Sequence, residues 1–156
     1  MSHDIKKIKP RRNSHYQQRV FNPSSAKKLF ESQKNQPIVS RSSWETRFII
    51  WLEHAPNVRR WGSECVAIQY VKPTDGKVHN YYPDFLVEFT DGTVAMIEIK
   101  PHSQTNKPKN MKSKYETEAY ATNMAKWKAA KEFCQQHGIK FSIITEHTIE
   151  HLKINR

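Results

Sequence analysis

Large apolar side chains beyond residue 40 recur at a helical spacing. A row of serines that can cap a helix precedes them, and Pro56 follows them. The apolar stripe is made of Trp44, Phe48, Trp51 and Leu52. Because these positions fall on one side of an α-helix, the sequence predicts an amphipathic helix that ends before Pro56. Glu45 lies on or beside its apolar face, which is unusual for a carboxylate.

An alternating pattern follows this helix and predicts three successive strands. Apolar residues alternate over residues 64–71, and an Asp-Gly turn leads into a strand over residues 78–89. Pro83 interrupts this second strand, which indicates a bend or a sheet edge. A second Asp-Gly turn precedes the third strand, over residues 93–100, whose apolar run is typical of burial on both faces.

The last third of the chain predicts a long helix and a fourth strand. Residues 116–137 carry apolar positions at helical spacing and are closed by Gly138. The apolar residues 140–145 predict a strand, and a short helix is predicted to follow it. Residues 102–114 are polar, so we expect an exposed loop there. The order helix, three strands, helix, strand predicts an α/β fold with a mixed sheet.

The charge of the chain indicates a polyanionic partner. Its 156 residues suit one domain, and 26 Lys and Arg against 15 Asp and Glu give a net charge of +11. No apolar stretch is long enough to span a membrane or has the form of a secretory signal, so we expect neither membrane association nor export by a signal peptide. Cys65 and Cys134 form neither a disulfide framework nor a zinc site, which indicates a reducing compartment.

Residues 1–37 are predicted to be a basic arm ahead of a domain over residues 38–156. The arm has nine Lys or Arg and two acidic residues, a net charge of +7, with three prolines and few large apolar residues. We therefore expect it to be flexible or loosely packed. It either binds nucleic acid or is a solvated tail. The predicted nucleic-acid contacts are Lys6, Lys7, Lys9, Arg11, Arg12, Arg19, Lys27 and Lys28.

Asp84, Glu98 and Lys100 carry the candidate chemistry. Residues two apart on a strand point to the same face, so Glu98 and Lys100 share a face and Ile99 points to the other. If the second and third strands pair around the Asp-Gly turn between them, Asp84 comes alongside Glu98. The sequence therefore predicts two carboxylates and one ammonium group at one end of a small sheet.

Two carboxylates in this arrangement are typical of a Mg²⁺ site. Mg²⁺ takes oxygen ligands and keeps several waters, so Asp84, Glu98 and the backbone carbonyl of Ile99 make a half-open ligand set, with Mn²⁺ as a substitute metal. Lys100 can orient the attacking water or neutralise developing charge. The opposing interpretation is that Glu98 and Lys100 form a surface ion pair, which contributes about 0–1 kcal/mol.

Two further acids are candidates for the same site. Glu45 can supply a carboxylate for a second metal from the first helix. Glu64 follows a Trp-Gly-Ser segment that can direct it toward the end of the sheet. A plain acid at a strand edge is an equally good interpretation of Glu64.

The order Pro83-Asp84 and then Glu98-Ile99-Lys100 resembles the signature of the PD-(D/E)xK nuclease superfamily. Residues 40–148 are similar to two of its families, the head completion nucleases of tailed phages and the endonuclease subunit of Tn7-type transposases. The phage family shares Trp44-Glu45 and residues 61–64, 98–101, 126–141 and 144–146. The transposase family shares the helix glutamate, Pro-Asp-Phe and a strand-end lysine. The short chain favours the phage family.

The resemblance implies a restriction-endonuclease-like αβββαβ core and places the catalytic roles on Glu45, Asp84, Glu98 and Lys100. It further implies Mg²⁺-dependent cleavage of DNA in phage head completion after packaging. The expected location is the host cytoplasm and the virion, with the head portal or connector as a protein partner. Two alternatives stay open: a Tn7-type transposase or repair endonuclease subunit, and a virion protein that caps a DNA end without cleaving it.

Overall fold

The structure, a computed structural model, describes residues 19–108 and 113–152. These residues form strands, α-helices and single-turn 3₁₀ helices. None of the helices described is long and apolar enough to cross a lipid bilayer. The strands and α-helices are β1 (Arg19–Phe21), β2 (Ile38–Ser40), α1 (Ser43–His54), β3 (Val58–Ser63), β4 (Ile68–Val71), β5 (Val78–Tyr81), β6 (Phe85–Phe89), β7 (Val94–Ile99), α2 (Lys114–His137), β8 (Lys140–Ile144) and α3 (Glu146–Glu150).

A four-stranded sheet in the order β3-β6-β7-β8 forms the centre of the fold. β6 pairs antiparallel with β3 and with β7, whereas β8 pairs parallel with β7. A parallel pair needs a crossover connection, and α2 supplies it. The predicted α/β fold with a mixed four-stranded sheet flanked by helices is confirmed, and the arrangement is that of a restriction-endonuclease-like core.

Both long helices begin and end where the local sequence favours it. The Ser42 hydroxyl accepts a hydrogen bond from the backbone N–H of Glu45, and the Ser113 hydroxyl accepts one from Glu116. Gly138 ends α2 in a left-handed conformation with φ of 67°, which glycine adopts without steric cost. Capping by Ser42 therefore fixes Glu45 in the first turn of α1.

The first central strand differs from the prediction. Residues 64–71 are predicted to be this strand, but β3 lies earlier in the chain. β4 and β5 instead pair with each other in a separate two-stranded hairpin. β3 contains two arginines and a glycine and has no apolar alternation; pairing with β6 and burial of Val58 and Trp61 hold it in place. Long-range contacts therefore outweigh the local pattern here.

The predicted strand over residues 78–89 is also wrong, because it is two strands. β5 ends at Tyr81 and β6 begins at Phe85, and the two belong to different sheets. Pro83 lies between them and has no N–H to donate to a strand ladder. The break leads the chain from the hairpin into the central sheet, and it places Asp84 directly before β6.

Residues 19–37 pack against the domain, so the expected loosely packed arm does not reach residue 37. Leu29 is only 2% exposed. The backbone N–H of Trp61 donates to the carbonyl of Lys28 at 3.0 Å. The Gln33 side-chain amide donates to the carbonyl of Ser63 and accepts from its backbone N–H. These contacts, with one isolated bridge between Leu29 and Trp61, attach the segment to β3 and make it part of the domain.

Two hydrophobic clusters cover the two faces of the central sheet. β7 contributes to both clusters because its side chains alternate between the faces. The α1-side core includes Leu29, Phe48, Leu52, Trp61, Phe85, Val87, Ala95, Ile97, Ile99 and Ile149. The α2-side core consists of Ile68, Tyr70, Tyr81, Met96, Trp127, Ala130 and Cys134, with partly buried neighbours.

Candidate active site

The pairing of β6 with β7 places Asp84 and Glu98 side by side. Phe85 lies opposite Ile97 in this antiparallel register, so the residue before Phe85 faces the residue after Ile97. The backbone N–H of Asp84 donates to Glu98 Oε2 at 3.3 Å. The backbone N–H of Ile99 donates to Asp84 Oδ2 at 2.7 Å. The structure therefore brings together the two carboxylates that the sequence placed at this end of the sheet.

A pocket opens where the end of β7 meets the start of α1. Its lining residues are Arg41, Ser42, Trp44, Glu45, Asp84, Glu98, Ile99, Lys100, Pro101 and Gln104. Ile99 belongs to the α1-side core and is also one of the residues that line the pocket. The four residues with predicted catalytic roles thus line one pocket, together with Ile99.

The carboxyl groups of the pocket lie in an environment that disfavours negative charge. Burial, and then repulsion from Glu98 and Glu45, raises the pKa of Asp84 well above its usual range. Burial also raises the pKa of Glu98, although the Tyr81 hydroxyl and the charge of Lys100 oppose that shift. Burial raises the pKa of Glu45 to about 7. Burial is the largest cause of all three shifts, and a bound cation would stabilise the ionised carboxylates.

The oxygen atoms of the pocket suit a hard divalent cation. Asp84 uses Oδ2 for the N–H of Ile99, and Glu98 uses Oε2 for the Tyr81 hydroxyl and the N–H of Asp84. No three Asp, Glu, His or Cys side chains of the described residues form a ready metal cluster. The pocket therefore offers a cation two adjacent carboxylates rather than a cage of several acids.

Glu64 lies at the rim of this site rather than in the pocket lining. Its backbone N–H donates to the Asp84 carbonyl at 3.0 Å, and its carboxylate accepts a hydrogen bond from Arg41 Nε at 3.2 Å. Glu45, in contrast, lines the pocket and accepts the backbone N–H of Arg41 at 2.6 Å. The geometry therefore favours Glu45 over Glu64 as the third acid.

Two side chains beside Glu98 are not among the catalytic or metal-binding residues predicted from the sequence. The Tyr81 hydroxyl donates to Glu98 Oε2 at 2.8 Å. The Lys126 ammonium lies 5.5 Å from the centroid of the Tyr81 ring. Burial and repulsion from Lys100 lower the pKa of Lys126. Tyr81 is in the hairpin and Lys126 is in α2, so only the packing of these elements on the sheet reveals them. Arg41 and Gln104 of the pocket lining are also absent from the prediction.

Among the described residues of the arm, no basic side chain lines the pocket. Lys28 Nζ donates to the Ala55 carbonyl at 2.6 Å, at the end of α1 that lies away from Glu45. The backbone N–H of Lys27 is bound by Glu53 in the same region. Arg19, at the start of β1, is exposed beside the first turns of α1. The remaining predicted contacts, Lys6, Lys7, Lys9, Arg11 and Arg12, lie outside the described residues.

Two comparisons with known proteins bear on this pocket. Residues 55–146 match a family model described as TnsA-like endonuclease N terminal, and the match includes Asp84, Glu98 and Lys100. The chain is also similar to the head completion nuclease of Enterobacteria phage T4. The two are 37% identical over 118 residues, which cover 70% of this chain and 79% of that protein. The chain therefore belongs to the TnsA-like endonuclease N-terminal family and is a nuclease of this kind.

Proposed function

We propose that this chain is a Mg²⁺-dependent DNA endonuclease that acts in the completion of a phage head after DNA packaging. The convergence of Asp84, Glu98 and Lys100 in one pocket carries the proposal. The similarity to a phage protein named head completion nuclease supports the biological setting. The net charge of +11 supports a polyanionic substrate.

The contacts of the pocket residues define their proposed roles. The N–H of Ile99 holds Asp84 and the Tyr81 hydroxyl holds Glu98, so both carboxylates are oriented by neighbours that do not themselves react. Mg²⁺, when bound, polarises the scissile phosphate and lowers the pKa of a bound water. Lys100 orients the attacking water or neutralises charge that develops on the phosphate.

Glu45 adds a third carboxylate from the first turn of α1. The backbone N–H of Arg41 orients this group, and its pKa of about 7 allows it to be neutral or charged near physiological pH. We assign to it the carboxylate of a second metal, or the orientation of water around the first. Its position at the capped start of a helix makes that orientation rigid.

The proposed partners are DNA and a protein of the phage head, the portal or connector. Residues 1–18 carry five Lys or Arg and one Asp, a net charge of +4, and this segment is the proposed extension of the DNA-binding surface. The proposed places of action are the host cytoplasm and the virion.

Incubation of supercoiled plasmid DNA with and without Mg²⁺ tests the proposal. We expect nicked or linear product only with Mg²⁺ or Mn²⁺, and no detectable product from Asp84→Asn or Glu98→Gln in the time that the wild type needs to cut the plasmid. Both substitutions remove charge but keep an oxygen for the N–H of Ile99 or the Tyr81 hydroxyl, so the fold should be retained. Cleavage at the wild-type rate by either variant contradicts the site assignment.

The family match favours a second candidate, an endonuclease subunit of a Tn7-type transposase or of a repair system. The same pocket would serve that reaction, so plasmid cleavage does not separate the two. Neighbouring genes do: capsid and tail genes support the first proposal, and transposase genes support the second. A protein that binds DNA ends without cleavage is the outcome if the wild type binds DNA but cuts nothing with either metal.

A further inference from the structure

A half-buried ammonium group lies beside the pocket and outside its lining. Lys126 Nζ lies 5.9 Å from the ring centroid of Tyr70 and 5.5 Å from that of Tyr81. Within the described residues, no carboxylate is within salt-bridge distance of this group. Two aromatic faces only partly replace the hydration that a buried cation loses. Lys126 therefore keeps hydrogen-bonding capacity that an anion bound beside the pocket could use.

The charges around Lys126 favour a phosphate at this position. Lys100 and Lys72 are near enough to repel its ammonium group, while Glu98 and Asp84 attract it. Lys72 is in the turn of the β4–β5 hairpin, where its backbone N–H donates to the carbonyl of Lys77. Lys126 thus lies over the two tyrosines of the hairpin and within electrostatic reach of one lysine of the pocket and one of the hairpin turn. Like charges held near one another form a site for a polyanion.

We propose that Lys126 binds a backbone phosphate of the DNA strand next to the phosphate that is cleaved, so that the strand leaves the pocket over Tyr81 toward the β4–β5 hairpin. The inference rests on the proposed function. Tyr81 contacts both groups: its ring lies under the Lys126 ammonium, and its hydroxyl donates a hydrogen bond that orients Glu98. The Tyr81 side chain thereby sets the distance between the Glu98 carboxylate and the Lys126 ammonium group.

A structural clamp is the competing explanation. α2 packs against β4, and Lys126 could simply fasten the helix to the two tyrosines of the hairpin. A clamp affects thermal stability, whereas a phosphate contact affects the salt dependence of DNA binding. The two explanations therefore predict different measurements for the same substitution.

The test measures the affinity of the full chain for a labelled DNA duplex by fluorescence anisotropy, in EDTA, from about 50 to 200 mM salt. Each phosphate contact contributes about 0.9 to the slope of log affinity against log salt. We expect Lys126→Gln to flatten the slope by about this amount and Lys126→Arg to restore it. Lys126→Met, which keeps the apolar contact with the rings, is measured alongside in case the glutamine variant does not fold.

Lys128→Gln is the matched control, because Lys128 is exposed on the same helix about 200° around its axis. It should leave the slope unchanged. Tyr81→Phe keeps the ring and loses the hydroxyl, so it should retain the slope while cleavage slows. A wild-type slope in both Lys126→Gln and Lys126→Met, with a lower melting temperature, overturns the phosphate contact and supports the clamp.

Plasmid cleavage by the wild type, run in parallel, separates this inference from the proposed function. If the wild type cuts DNA and the Lys126 variants keep its slope, the inference fails and the function stands. If the wild type binds DNA without cutting, the function fails, while a flattened slope still supports the Lys126 contact. If the wild type binds no DNA, both are overturned.

Discussion

The two faces of β7 carry different side chains at the same end of the sheet. On one face Ala95, Ile97 and Ile99 all point into the α1-side core, so apolar packing continues to the last residue of the strand. On the other face Met96 belongs to the α2-side core, and the next residue on that face is Glu98. Glu98 is only 7% exposed. One face of the strand therefore stabilises the fold while the other carries the candidate chemistry.

This difference shows how a small domain can hold buried carboxylates. A buried carboxyl group whose pKa is raised lowers the stability of the folded state at neutral pH, because its ionised form is better solvated in the unfolded chain. Asp84, Glu98 and Glu45 all have this cost. The α1-side core offsets it with apolar burial, which contributes about 25 cal/mol per Å².

The largest expected effect comes from comparing one substitution in the candidate site with one in the α1-side core. Asp84→Asn should slow cleavage on the order of 10³-fold, because loss of the proposed metal ligand removes several kcal/mol of charge stabilisation. It should also raise the melting temperature in EDTA, since it removes a destabilising charge. Leu52→Ala, in the α1-side core, should cost about 2–5 kcal/mol of stability and leave the rate unchanged at a temperature where the variant is folded. A lower melting temperature of Asp84→Asn than of the wild type in EDTA would show that the charge of Asp84 does not destabilise the fold.

Lys100→Ala should slow cleavage by about 10²–10³-fold, the usual cost of removing one group that stabilises transition-state charge. DNA affinity should change little, because the proposed interaction strengthens only in the transition state. Single-turnover rates at saturating DNA measure this effect. A variant that bound poorly but cut normally at saturation would make Lys100 a simple phosphate contact.

Glu45→Gln should slow cleavage by about 10–100-fold, as expected of a group that acts through metal-bound water. Glu64→Gln should have a smaller effect, because Glu64 pairs with Arg41 at the rim. Rates of the two variants under identical conditions compare the two acids directly. The reverse order of effects would identify Glu64 as the third acid.

The pH dependence of stability should show the cost of the buried acids. The folded pKa of Glu45 is raised from 4.5 to about 7, so the folded state binds more protons than the unfolded state between these values. Stability of the metal-free protein should therefore fall as pH rises from 4.5 through 7, and Glu45→Gln should reduce that fall. Melting temperatures in EDTA across this range measure it. A stability that rises with pH in the wild type and not in the variant would contradict the shift.

Truncation should have the smallest effect on cleavage at saturating DNA. Deletion of residues 1–18 removes five basic residues, so it should flatten the salt slope of DNA binding by up to several units. Deletion of residues 1–37 also removes Leu29 from the α1-side core, so it should lower the melting temperature. An unchanged slope after the shorter deletion would indicate that residues 1–18 bind a protein partner, which a pull-down with the portal would test.

Local sequence determined the parts of this protein that depend on neighbouring residues. Serine caps and apolar spacing set α1 and α2, and the Asp91-Gly92 turn set the register of β6 and β7. A short turn allows few registers, so the approach of Asp84 to Glu98 could be predicted from residue spacing alone.

Tertiary structure decided the features that depend on contacts between distant segments. β3 is a strand because Trp61 is buried and β6 is beside it, although its own residues do not alternate. The packing of residues 19–37 and the approach of Tyr81 and Lys126 to Glu98 have the same origin. Local spacing sets which residues share a face, but only the assembled sheet determines which elements cover that face, because burial free energy depends on the whole fold.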